Sequence, residues 1–160
     1  MVRILIVCLG NICRSPLAHG VLKERIAERG LSDQIEVDSC GTSGYHTGEK
    51  ADPNTRSVAR GRGLNLEWHR SRQLRDSDFQ QFDVLIAMDR SNERGIRALQ
   101  PDDSQAAVRR YLEFVPDAPG PDMPDPYYGG TDGFETVHDL VEAGADQLID
   151  WSIDRGMTRE

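Results

Sequence analysis

A chain of 160 residues is the size of one domain, 1–160, and its 38% hydrophobic content is enough for a packed core but includes no run near the roughly 20 apolar residues of a membrane span. Three cysteines, an odd number, do not make a secreted disulfide scaffold, and the short apolar run Ile4–Leu9 is no leader peptide, so the cytoplasm is the expected compartment. The net charge of −8 divides into +2 over residues 1–100 and −10 over residues 101–160, which argues against a nucleic-acid binder yet leaves room for an anionic ligand at a locally positive site.

Residues 3–8 form a near-continuous apolar run, the pattern of a strand covered on both faces of a parallel sheet. A glycine-bearing loop follows, and Ser15-Pro16 reads as the N-cap and first residue of a helix that stops at Gly30. Residues 35–40 alternate as a second strand, and residues 41–53 read as loop. Asp52-Pro53-Asn54 starts a helix to about Gly61 or Gly63, and Leu64–Trp68 reads as a short strand. One or two helical turns are expected over 76–82, a strand over Asp83–Met88, a helix over Ser91–Leu99 and a last strand over Tyr111–Val115. Five prolines and four glycines make 116–133 a long irregular loop, and Phe134, Val137, Val141, Ala145 and Leu148 mark a closing amphipathic helix to about Ile153. Strands alternating with helices predict a single-domain α/β fold: a doubly wound, about four-stranded, mostly parallel sheet flanked by helices. Ligands in such folds sit beyond the carboxyl ends of the strands, which points to the loop after the first strand.

That loop reads Cys8-Leu9-Gly10-Asn11-Ile12-Cys13-Arg14-Ser15-Pro16. It joins a strand to a helix N-terminus, where unpaired N–H groups attract anions. Gly10 and Asn11 tolerate positive φ, so the chain can curl with Leu9 to Ser15 presenting amides inward, and the Arg14 fork can grip two phosphate oxygens. Cys8 stands at the mouth of the same cradle, where the loop dipoles and Arg14 favour the thiolate. A cysteine ending a strand is usually a small hydrophobe and an arginine starting a helix usually a surface charge; together in one strand–loop–helix, six residues apart, they make a nucleophile over a phosphate site.

Cys-x5-Arg-Ser is the phosphate loop of cysteine-based tyrosine phosphatases, and Val7–Pro16 resembles the low-molecular-weight protein tyrosine phosphatases in particular. The resemblance extends through Val37-Asp38-Ser39, Ala87-Met88-Asp89-Arg90-Ser91-Asn92 and Asp125-Pro126-Tyr127-Tyr128. It implies hydrolysis of phosphotyrosine in proteins through a phosphocysteine on Cys8, with Asp125 as general acid and then base. A phenolate leaving group needs that proton, its conjugate acid having a pKa of about 10. The resemblance further implies Tyr45, Tyr127 and Tyr128 as walls for the substrate ring, a supporting network of Asn11, Ser15, Ser39 and His69, and Cys13 as the thiol that traps oxidised Cys8. For His69 a plain structural role is an equal alternative. His19, His46 and His138 have no metal-ligand spacing, and neither a metal nor a cofactor is implied. The implied partners are phosphotyrosine-containing proteins and a cognate tyrosine kinase, with no nucleic acid or membrane, and the chain is expected to be a monomer.

Three rivals share parts of this pattern. Arsenate reductases of the same fold need further cysteines near 80–90, and residues 76–92 contain none. Phosphoarginine phosphatases have threonine where Ile12 stands and phenylalanine in place of Tyr127. A non-catalytic phosphate-binding module would not need Cys8, Arg14 and Asp125 together.

Overall fold

The computed structural model describes residues 1–126 and 130–159. Ile4, Leu5, Ile6 and Val7 are all fully buried, which a strand achieves only at the centre of a sheet with both faces covered. They lie on β1 (Val2–Cys8), followed by α1 (Arg14–Glu28), β2 (Ile35–Gly41), α2 (Pro53–Gly61), α3 (Asp78–Gln81), β3 (Val84–Ala87), α4 (Arg90–Leu99), β4 (Ala107–Arg110) and α5 (Gly130–Arg159). The strands pair in the order β2-β1-β3-β4, all parallel. Alternate residues of β1 serve opposite layers. Ile4, Ile6 and Cys8 join a core made with α1 and α5, while Leu5 and Val7 join one made with Phe79, Phe82 and Ile96.

From β1 the chain first builds outward to β2 and then returns to place β3 on the other side. The strand order therefore reverses at β1, and the crevice of the fold opens at its carboxyl end, at Cys8. No helix among the described residues is long and apolar enough to cross a membrane.

The α/β class, the strand count and the parallel sheet agree with the sequence pattern, and four local expectations need correction. Ser15 does not cap α1. The helix begins at Arg14 with Cys13 as its N-cap, because the Ser15 hydroxyl is occupied by Cys8 and Asn11. Its far end is as expected: Gly30 takes φ 69°, and the amides of Gly30 and Leu31 return to the carbonyls of Ala27 and Ile26. Leu64–Trp68 is a turn rather than a strand, since the Asn65 side chain accepts from Glu67 N–H and its carbonyl accepts from Trp68 Nε1. The last strand is Ala107–Arg110, and Tyr111–Phe114 is a 3-10 turn. The Tyr111 hydroxyl donates to the Val141 carbonyl of α5 at 2.6 Å, which pulls that apolar stretch off the sheet and under the helix. Helix α5 also starts at Gly130, inside the stretch read as loop, and runs to Arg159 rather than about Ile153.

Candidate active site

The loop between β1 and α1 owes its shape to its carbonyls. Five in succession are taken by donors outside it. Thr42 N–H donates to Cys8 C=O at 2.9 Å, Ser43 N–H to Leu9 C=O at 2.9 Å, and Asp52 N–H to Ile12 C=O at 2.8 Å. Ser71 Oγ donates to Gly10 C=O at 2.9 Å and His69 Nε2 to Asn11 C=O at 2.7 Å. With the carbonyls turned out, the amides turn in. Asn11 N–H points at Cys8 Sγ at 3.3 Å, and the amides of Leu9, Gly10, Ile12 and Cys13 find no backbone acceptor among the described residues. A concave ring of donors at a helix N-terminus is an anion site.

The backbone conditions are met differently from expectation at one glycine. Asn11 takes the left-handed conformation, φ 58°, whereas Gly10 does not; a side chain at Gly10 would instead stand 3.0 Å from His46 Cδ2. Gly41, at the end of β2, has a stricter role. A Cβ there would lie 2.6 Å from the Leu9 carbonyl oxygen and 3.1 Å from Asn11 N. The loop rests directly on that bare backbone.

Cys8 is almost completely buried, and its sulfur also meets Ser15 Oγ at 2.9 Å. Asn11 Nδ2 donates to the same Ser15 oxygen at 2.8 Å, which leaves the Ser15 proton free for the sulfur, and a Cys8 thiolate can only accept it. The Asn11 amide is held from its other end by Arg72 N–H, which donates to Oδ1 at 3.1 Å. Burial holds His69 below the ordinary histidine pKa, so the ring is neutral and donates Nε2–H to the loop. Among the family-implied network residues, Asn11, Ser15 and His69 thus converge on the loop. The Ser39 hydroxyl goes instead to His19 Nδ1 at 2.9 Å, and burial lowers His19 to about 4, which keeps that ring neutral.

Arg14 is nine-tenths buried or more, and its Nη1 donates to Asp89 Oδ2 and to the Met123 carbonyl, both at 2.9 Å. That leaves Nε and Nη2 of the fork without a protein partner among the described residues. The other oxygen of Asp89 caps α4 by accepting from Asn92 N–H at 2.7 Å. Asp89 therefore ties Arg14 to the start of a helix. The sequence shows Asp89 only as part of the Ala87–Asn92 motif, without a role, and nothing in it singles out Ser71 or Arg72. The signal available for Asp89 was an N-cap aspartate directly after a buried strand.

Above the loop is a cavity of about 360 Å³ lined by Cys8, Arg14, Ile12, Cys13, Tyr45, His46 and Asp125, among others. Asp125 and Cys8, 117 residues apart, thus face the same space. Tyr45 stands at the rim, 86% exposed. Tyr127 and Tyr128 lie outside the described residues. Burial, followed by the nearby Asp52 carboxylate, pushes the Cys13 thiol up to about 12, and burial raises Cys40 as well, so both are neutral thiols.

Residues 3–158 match the family model described as low molecular weight phosphotyrosine protein phosphatase. The chain belongs to that family. A low molecular weight protein-tyrosine-phosphatase of Streptomyces coelicolor is 43% identical over 92% of this chain and 91% of its own. A low molecular weight phosphotyrosine protein phosphatase of Schizosaccharomyces pombe is 42% identical over 94% and 92%. The crystal structure of an Entamoeba histolytica protein tyrosine phosphatase, with Hepes in its active site, superposes with a TM-score of 0.90 at 36% identity, covering 98% of this chain and 99% of that one. The family makes the chain a hydrolase of the cysteine-dependent protein tyrosine phosphatase class.

The Gly41 contact makes a direct prediction. Gly41→Ala must push the Leu9 carbonyl away and tilt the inward amides. Turnover of an aryl phosphate, as kcat/KM, should fall on the order of 10²-fold, with inorganic phosphate binding more weakly as an inhibitor. Unchanged values would mean that the loop does not rest on β2.

Proposed function

We propose that this phosphatase removes phosphate from tyrosine in proteins with Cys8 as nucleophile, Arg14 and the loop amides as phosphate cradle, and Asp125 as acid and base. The observation that carries the reading is the convergence of Cys8, Arg14 and Asp125 on one cavity above inward-facing amides. The Cys8 thiolate attacks phosphorus while the bond to the phenolic oxygen breaks, and the Asp125 carboxyl gives its proton to the leaving oxygen. The resulting Asp125 carboxylate then takes a proton from water, the water oxygen attacks the phosphocysteine, and the thiolate leaves with inorganic phosphate as product. Charge on the equatorial oxygens is met by the Arg14 fork and the amides of Leu9 to Ser15, and charge on the departing sulfur by Asn11 N–H and the Ser15 hydroxyl.

Tyr45, Tyr127 and Tyr128 complete this reading as walls for the planar ring. Cys13 is its resolving thiol. After peroxide converts Cys8 to the sulfenic acid, condensation with the Cys13 thiol forms the disulfide and releases water. A nucleophilic thiolate works where cysteines stay reduced, which supports the cytoplasm; a monomer acting opposite a tyrosine kinase completes the picture.

Ile12 supports phosphotyrosine over phosphoarginine. It lines the cavity with an apolar side chain packed near Cys13, Val58 and Phe134, and offers no hydroxyl to a guanidinium N–H. Leaving such a group unpaired costs roughly 1–3 kcal/mol.

Three outcomes test these assignments. Cys8→Ser should abolish turnover of an aryl phosphate while still binding inorganic phosphate; substantial residual turnover removes Cys8 from the mechanism. Asp125→Asn should cost on the order of 10²–10⁴ in rate for phenyl phosphate and much less for nitrophenyl phosphate, whose leaving group departs unprotonated. Equal losses would make Asp125 a positioning group only. Ile12→Thr should lower kcat/KM on phosphotyrosine and raise it on phosphoarginine, and a wild type that already prefers phosphoarginine would sink the specificity reading.

A further inference from the structure

The segment that grips the loop from outside, residues 69–74, has little regular structure of its own. Besides its donors to Gly10 and Asn11, it is stitched to the end of β2: Gly41 N–H donates to Arg72 C=O at 2.9 Å and Leu74 N–H to Gly41 C=O at 2.7 Å. Its anchor is a carboxylate. Asp78, at the start of α3, is completely buried and accepts both arms of the Arg72 guanidinium, Nη1 to Oδ2 and Nη2 to Oδ1, each at 3.0 Å. Arg75 N–H adds a third bond to Oδ2 at 3.0 Å. Arg72 Nη2 also reaches Asp38 Oδ2 on β2 at 3.2 Å. A planar fork on a buried carboxylate allows one geometry, and losing either partner strands a charge, so the position of residue 72 is tightly set.

The backbone of residue 72 then decides a question two side chains away. Its N–H can only donate, so the Asn11 amide must turn Oδ1 toward it and Nδ2 toward Ser15. With Nδ2 filling one lone pair on Ser15 Oγ, the Ser15 proton is free for Cys8 Sγ, which as a thiolate can only accept. If the amide turned over, its oxygen would draw the Ser15 proton and the sulfur would lose a donor.

We propose that Arg72, locked by Asp78, is a positioning residue for catalysis: it orients the Asn11 amide and through it aims the Ser15 hydroxyl proton at the Cys8 sulfur. A donor held on the sulfur favours the thiolate both as attacking group and as leaving group, so loosening the lock costs rate mainly at low pH.

The test is the pH dependence of Cys8 alkylation by iodoacetate, which reads the thiolate without requiring turnover. In Asp78→Asn the midpoint should move up by about one pH unit, the worth of one hydrogen bond to a charged group. The loss in kcat/KM on an aryl phosphate should shrink as pH rises. Arg72→Met/Asp78→Leu removes the pair without stranding a charge and should show the same shift in a chain of near-normal melting temperature. Arg72→Lys, which keeps the charge but not the fork, should fall between. In an Asn11→Gly background, which keeps the left-handed backbone but has no amide to orient, adding Arg72→Met/Asp78→Leu should move the midpoint no further. An unmoved midpoint in the folded double variant overturns the proposal. So does an equal further shift in the Asn11→Gly background, which would route the effect around Asn11. The proposal takes Cys8 as nucleophile, and failure of that assignment would show separately, as turnover surviving Cys8→Ser.

Discussion

A peptide unit that turns its carbonyl one way turns the neighbouring amide the other, and the phosphate loop exploits that geometric tie five times in a row. Each carbonyl from Cys8 to Ile12 has a donor waiting outside the loop. These bonds face away from the cavity, and they account for why the amides face toward it. Around the nucleophile they go with the N–H of Asn11 on the sulfur, the left-handed turn at Asn11, the bare backbone at Gly41, and a buried histidine whose Nε2–H donates to the loop.

The positive side of the site is arranged with equal economy. The chain as a whole is acidic, yet the arginine that faces the cavity is buried and half committed: one nitrogen serves Asp89 and Met123. Because Asp89 also caps α4, the direction of the Arg14 fork is inherited from the junction of β3 and α4. A free arginine would have to lose its rotamers on binding phosphate; this one has lost them already, so ligand binding need not supply that ordering.

Much of this was legible in the amino-acid sequence, and the exceptions have a common cause. The apolar runs of β1 and β3, the Asp52-Pro53 helix start and the Gly30 stop are local signals and appear where expected. The motif Cys8–Ser15 exposed the chemistry because its residues are neighbours in the chain. Edge strand β4 was displaced by four residues, since Tyr111 and Leu112 look like strand residues until a carbonyl of α5 claims the tyrosine hydroxyl. Asp89, Ser71 and Arg72 received no role because each acts on the loop across 61 residues or more, and Ser15 looked like a cap because its true partners, Cys8 and Asn11, become visible only once the loop is curled. Local pattern gives elements; the polar bonds that shape a site are long-range.

That long range has a consequence for the chain as it is made. Cys8 leaves the ribosome early, and the groups that shape its loop arrive later: residues 41–43, then 52, then 69–72, and only afterwards Asp78 and Asp89. Domains fold as units once their parts are present. Until about half the chain has emerged, the cysteine has no ring of amides and no arginine aimed by Asp89, and it is an ordinary thiol. The surroundings of its sulfur are a product of completed folding, so a nascent or misfolded chain has the thiol without them.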